Sequence, residues 1–156
     1  MPSPTPLPGL ESVGKAGTWT IQDQHGQSIT ITGELLGLGS SFRPRHQNHP
    51  DATFAPPRTH CSTCRWTEIR IFAVDSEVDN PAPLPYLVVK SGVSVAPGEK
   101  NFTEWEGLVT GDEVLEKLTT RRGRDAFLTM PASRAASQAA SFDPGMREAW
   151  TQRAVK

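Results

Sequence analysis

The run Cys61-Ser62-Thr63-Cys64 places two thiols at the spacing of a zinc knuckle, where successive turn amides leave both sulfurs directed at one ion. Upstream, His46 and His49 share the same two-residue separation, and His60 adjoins the first cysteine. Thiolate and imidazole are the ligands that tetrahedral Zn²⁺ takes in structural sites, so two of these three histidines would complete a Cys₂His₂ set. His46 and His49 are favoured, because neighbours such as His60 and Cys61 rarely direct both side chains to one ion. His60 is the substitute ligand. The order, histidines before cysteines, inverts that of the common finger.

Two other uses of the thiols stay open. They can be ordinary loop cysteines beside solvated histidines, or a redox pair. Redox Cys-x-x-Cys motifs usually open a helix, whose end lowers the first thiol's pKa, whereas here a strand-like run starts at Trp66. If zinc binds, its affinity becomes folding energy and offsets the entropy of ordering a long loop, which makes a structural role the simplest. A catalytic zinc would need an open position and a nearby base such as Glu68 or Asp51. No His-Glu-x-x-His helix is present, and Pro44 and Pro50 bracket the histidines.

The elements that would hold this cluster follow from periodicity. Trp19 and Ile21 alternate with Thr18, Thr20 and Gln22. After a turn at Gln24, His25 and Gly26, Ile29 and Ile31 alternate with Ser28, Thr30 and Thr32, which predicts a β-hairpin. From about Gly37 to His60 no period is usable, and Pro44, Pro50, Pro56 and Pro57 intervene. A connection this long is uncommon in a compact domain unless something holds it. Trp66–Val74 predicts a strand with Ile69, Ile71 and Ala73 on one side and Trp66, Glu68, Arg70 and Phe72 on the other. Tyr86–Lys90, apolar on both faces, suits an interior strand. Phe102–Val109 is a further candidate strand with imperfect alternation.

Thr110 to Glu113 spells a capping box, and Val114, Leu115 and Leu118 mark one helical stripe after it. Arg121 and Arg122 would close that helix, with Gly123 as its left-handed cap. Pro131 and the alanine-rich run from Ala132 to Ala140 predict a second helix, and Asp143-Pro144 starts a third, with Met146 and Trp150 on one face. Strands first and helices last favour an α+β fold: an N-terminal β-hairpin, a small, mostly antiparallel sheet, a zinc-knuckle loop and C-terminal helices. Residues 1–16, rich in Pro, Gly and Ser, read as a flexible or extended arm that needs something to dock on. Residues 17–156 read as one domain whose loop 40–64 is stabilised by metal.

Composition bounds the function. A chain of 156 residues with 36% apolar residues, 14 prolines and 13 glycines supports one modest core with long loops. A formal charge of −1 gives no sign of a protein that coats nucleic acid by bulk electrostatics. The N-terminal run MPSPTPLPG has neither the basic nor the apolar region of a secretory signal, no stretch has the length of a membrane span, and two cysteines do not make a disulfide scaffold. The cytoplasm is the expected location.

Arg121, Arg122 and Arg124 form the one dense basic cluster and are candidates for a phosphate contact, although a helix end interacting with its own dipole is the plainer reading. Gly37-Leu38-Gly39-Ser40-Ser41-Phe42 begins like a dinucleotide loop, but Phe42 stands where the third Gly belongs and no Lys precedes Ser40. A tight turn after the hairpin is expected there. Trp66, Trp105 and Trp150 are expected as core or interface anchors.

The run from Ser41-Phe42-Arg43 through His60-Cys61-Ser62-Thr63-Cys64-Arg65-Trp66-Thr67-Glu68-Ile69-Arg70-Ile71-Phe72 resembles small uncharacterised proteins of actinobacteria and their bacteriophages. So do Glu113–Arg122 and Pro131-Ala132-Ser133-Arg134-Ala135. The resemblance carries no activity and no catalytic residues. It implies an accessory protein acting in the host cytoplasm. The expectation is therefore a zinc-stabilised module that binds a host or phage macromolecule, a protein rather than a nucleic acid, away from membranes. A metal-dependent hydrolase or nuclease built on the same His/Cys cluster is the alternative.

Overall fold

The computed structural model describes residues 4–41, 65–75, 86–94 and 100–155. Five strands form one antiparallel sheet in sequence order: β1 (Ala16–Gln22), β2 (Ser28–Ser40), β3 (Arg65–Val74), β4 (Tyr86–Ser94) and β5 (Phe102–Glu104). Helix α1 (Gly111–Leu118), a two-stranded hairpin of β6 (Thr119–Arg122) and β7 (Asp125–Leu128), and helices α2 (Met130–Phe142) and α3 (Pro144–Val155) follow. The fold is α+β, with its helices C-terminal, as the order of periodicities predicts.

The expected first hairpin is β1 against β2, with Trp19 opposite Ile31 and Ile21 opposite Ile29. The predicted sidedness of β3 also holds. Ile69 and Ile71 pack under the helices with Leu36, Tyr86, Val88 and Val114. Phe72 faces the other way, into a second cluster with Ile21, Ile31, Leu35, Leu87 and Val89. Trp105 and Leu108 join this second cluster from beyond the far edge strand, so the sheet curls around it. A backbone bond from Gln24 N to Thr103 O (2.8 Å) draws the β1–β2 turn against β5 and completes the curl.

Three expectations are corrected. The chain does not turn at Gly37. β2 continues to Ser40, with Gly37 opposite Ile71 and Gly39 opposite Ile69. The two glycines hide the strand's period because their missing side chains are what admit helix α2. A Cβ at Gly37 would collide with the Ala135 carbonyl, and one at Gly39 with that of Pro131. The alanines predicted to permit close approach, Ala132, Ala135, Ala136 and Ala139, are wholly buried on that side of α2. Gln138 Oε1 accepts from Leu38 N (2.9 Å) across the same contact.

The strand expected over Phe102–Val109 shrinks to three residues. Gly107 at φ 130° breaks the run, and Val109 re-forms a single bridge to Tyr86. The third correction concerns the arginines. The Thr110–Glu113 capping box is present, but α1 ends at Leu118, where Thr119 turns extended and its hydroxyl donates to Leu115 O (2.7 Å). Arg121 and Arg122 therefore lie on β6 rather than at a helix end. Gly123 does adopt the left-handed conformation (φ 59°), in the β6–β7 turn. β-Branched Thr119 and Thr120 favour leaving the helix early.

Residues 4–16 find their docking surface on this same chain. Thr5 N donates to Thr20 O (2.9 Å) and Thr20 N to Thr5 Oγ1 (2.9 Å), Leu7 and Val13 pack against the second cluster, and Val13 bridges to Leu35. The arm thus covers the mouth of the curled sheet near Arg70.

Candidate functional site

Along the inner face of β3, Trp66, Glu68 and Arg70 follow one another at the period of two that a strand imposes. Here that face is buried, and two charged residues sit where apolar ones would be expected. Glu68 is 5% exposed and Arg70 3%. Arg70 Nη2 lies 3.0 Å from Glu68 Oε1, and Trp66 Nε1 donates to Glu68 Oε2 (2.9 Å). Arg70 Nε donates to the carbonyl of Pro8 in the arm (2.8 Å). The pair is thus held from three sides, by the strand, by an indole and by the arm.

Burial pulls the Arg70 guanidinium below its ordinary pKa, and the charge and hydrogen bond of Glu68 and the charge of Glu11 act against that pull. The pairing keeps both charges tolerable in the interior, but it leaves something over. Arg70 Nη1 and Ser91 Oγ are buried without a hydrogen-bond partner among the described residues. Ser91 stands directly opposite Glu68 in the β3–β4 register, on the same sheet face. An orphaned buried donor of this kind costs about 1–3 kcal/mol unless water or a ligand meets it.

Both atoms' residues line a pocket of about 290 Å³, walled also by Pro6 and Leu7 of the arm and by Asn101 and Phe102 at the start of β5. A second pocket of about 350 Å³ lies at the same end of the sheet, sharing Trp66, Gly92, Val93 and Phe102 with the first. Phe102 is 42% exposed and covers Gly92, where a Cβ would collide with its ring. A third pocket, about 440 Å³, lies at the seam between the β1–β2 turn and β5, lined by His25, Lys90, Trp105, Glu106 and Lys117. There Lys117 Nζ pairs with Glu106, Lys90 Nζ donates to Lys117 O (3.3 Å), and Trp105 Nε1 is buried without a partner among the described residues.

The expected metal ligands Cys61, Cys64, His46 and His49, and the substitute His60, lie outside the described residues, as does Asp51. Among the described residues, no group of three or more His, Cys, Asp and Glu side chains is placed to hold a metal. In the sequence, Cys64 directly precedes Arg65, the first residue of β3. Glu68, expected as the base of a catalytic zinc, has both oxygens engaged. Arg121, Arg122 and Arg124 are exposed on the β6–β7 hairpin, where Arg121 Nη2 pairs with Glu116 Oε1 at 2.8 Å.

The Glu68–Arg70 pair escapes sequence reasoning because alternation assigns its face but not its burial. A signal is available in the absence of any solvent-facing side to β3, whose other face is Ile69 and Ile71. Among the described residues no helix is long and apolar enough to cross a membrane. No protein-family model, curated protein or solved structure matches this chain.

Proposed function

We propose that this protein is a small cytoplasmic binding module that engages a macromolecule of an actinobacterial host or its phage, a protein rather than a nucleic acid. Loop 40–64 would be organised by Zn²⁺ on Cys61, Cys64, His46 and His49, with His60 able to substitute. The observation that carries this reading is positional. The Cys61–Cys64 motif feeds into β3 at the end of the sheet where Phe102 is exposed and two pockets open beside Trp66. A metal-ordered loop entering there would add a rigid border to a surface that already offers an aromatic anchor, a residue type enriched at the cores of protein interfaces.

The hydrolase or nuclease alternative would need a base other than Glu68, whose carboxylate is occupied by Trp66 and Arg70. Nucleic-acid binding through Arg121 and Arg122 would instead show steep weakening with salt.

The test is a photo-crosslinking amino acid at Phe102, irradiated in the cytoplasm of actinobacterial cells. A discrete protein adduct is expected, lost when Cys61→Ala and Cys64→Ala are combined. The absence of any protein adduct, together with nucleic-acid retention abolished by Arg121→Ala with Arg122→Ala, would overturn the reading.

A further inference from the structure

The polar groups that line the pocket beneath the arm are unbalanced in kind. Glu68, the one carboxylate there among the described residues, has Oε1 engaged by Arg70 and Oε2 by Trp66. What remains is the Arg70 Nη1 donor and the Ser91 hydroxyl, which can donate or accept, both buried and unpartnered among the described residues and both on residues that line the pocket. At the rim, Asn101 Oδ1 already accepts from Ser94 N (2.9 Å). A ligand that meets the guanidinium here must therefore bring an acceptor, to which the Ser91 hydroxyl can also donate.

Charge narrows the class. One guanidinium and one carboxylate are buried together, with the charge of Glu11 also felt at Arg70, so a dianion such as phosphate would add two negative charges to a low-dielectric site whose positive charge is already matched. A monocarboxylate presents two acceptor oxygens for Arg70 Nη1 and the Ser91 hydroxyl and adds one charge rather than two, met by the charge-assisted bond to the guanidinium. Leu7, Trp66, Val93 and Phe102 provide apolar wall for the rest of such a molecule. The volume lies at the lower bound of the roughly 300–1,000 Å³ range of small-molecule sites, which suits a compact ligand.

We propose that the pocket between the N-terminal arm and β3–β4 is a binding site for a monocarboxylate with an apolar body, held by Arg70 Nη1 and Ser91 Oγ. The carboxylate can belong to a small organic acid or to the C-terminus of a peptide; the chemistry recognised is the same. The inference is independent of the metal loop and of the partner named above, since every residue it uses is on the folded sheet and arm.

The experiment is NMR titration of the full chain with 3-phenylpropanoate, 3-phenylpropanamide, inorganic phosphate, and one Phe-terminated tetrapeptide with its C-terminus free or amidated. The acid is expected to shift amides of β3 and β4 around Arg70 and Ser91, with the amide and phosphate binding at least about tenfold more weakly. Ser91→Ala should weaken the acid roughly threefold to tenfold, the loss of one hydrogen bond, while the melting temperature of the unliganded protein stays the same or rises, since a buried unpartnered hydroxyl is removed. The charge-balanced pair Glu68→Gln with Arg70→Met should remove saturable binding. Binding of the free but not the amidated peptide assigns the site to peptide termini; binding of the small acid alone assigns it to metabolites. No binding of any carboxylate, an amide as tight as the acid, or a Ser91→Ala protein that binds like the parent would overturn the proposal.

Discussion

Arg70 reaches back along its own strand to Glu68, Nη2 to Oε1 at 3.0 Å, with less than a tenth of either side chain in solvent. Residues two apart on a strand point to the same face, which makes this pairing a direct product of the period. Removing one partner strands a charge in the interior, whereas removing both removes the penalty with the gain.

We predict that Glu68→Gln and Arg70→Met each destabilise the fold by about 3–5 kcal/mol. The double variant should be less destabilised than the sum by at least about 1 kcal/mol, because neither charge is left without its partner and the introduced amide still offers Trp66 Nε1 an acceptor. Urea denaturation of the four proteins gives the cycle. Additive losses would mean that the pair is not coupled.

Gly37 and Gly39 test the sheet–helix contact. Alanine at either position should cost about 1–3 kcal/mol or more, since the obstacle is helix backbone that cannot rotate away. Gly111 is a control. It opens α1, its added Cβ would meet neighbours at ordinary contact distances of 3.4–3.7 Å, and alanine there should be neutral or stabilise by up to about 1 kcal/mol. Equal melting temperatures for Gly37→Ala and the parent would contradict the packing described.

Tyr86 is the only tyrosine of the chain, so its titration can be followed by absorbance alone. Burial first, then the hydrogen bond it donates to Asp143 Oδ2, push its pKa well above the ordinary value of about 10. Because the folded value is the raised one, its stabilisation is complete below pH ~10 and is lost as pH rises above that, where the unfolded chain ionises first. We predict that Tyr86→Phe flattens the alkaline fall in stability. Asp143→Asn should bring the native titration only part of the way down, since the burial remains. A native phenol that titrates at its ordinary value would sink this account.

How far the sequence reaches depends on what each residue signals. The Thr110 capping box, the Trp19/Ile21 alternation and the alanine run are local, and each produces its element. Gly37 and Gly39 are illegible because a glycine that admits a helix looks the same as a glycine that makes a turn; only the distant Pro131–Ala139 segment distinguishes them. Gly123 signals the correct conformation but not its element, since a left-handed glycine serves a hairpin turn as well as a helix end. The buried Glu68–Arg70 pair depends on the arm and on Ser91, both remote in sequence, so no window around β3 contains it. The cysteine–histidine motif remains a reading of spacing, joined to the fold through Arg65.

The metal content of the purified full chain tests that reading most directly. Elemental analysis should find one zinc per chain, absent from Cys61→Ala and from Cys64→Ala, with lower thermal stability in both. A parent chain that is fully stable and free of metal would contradict it.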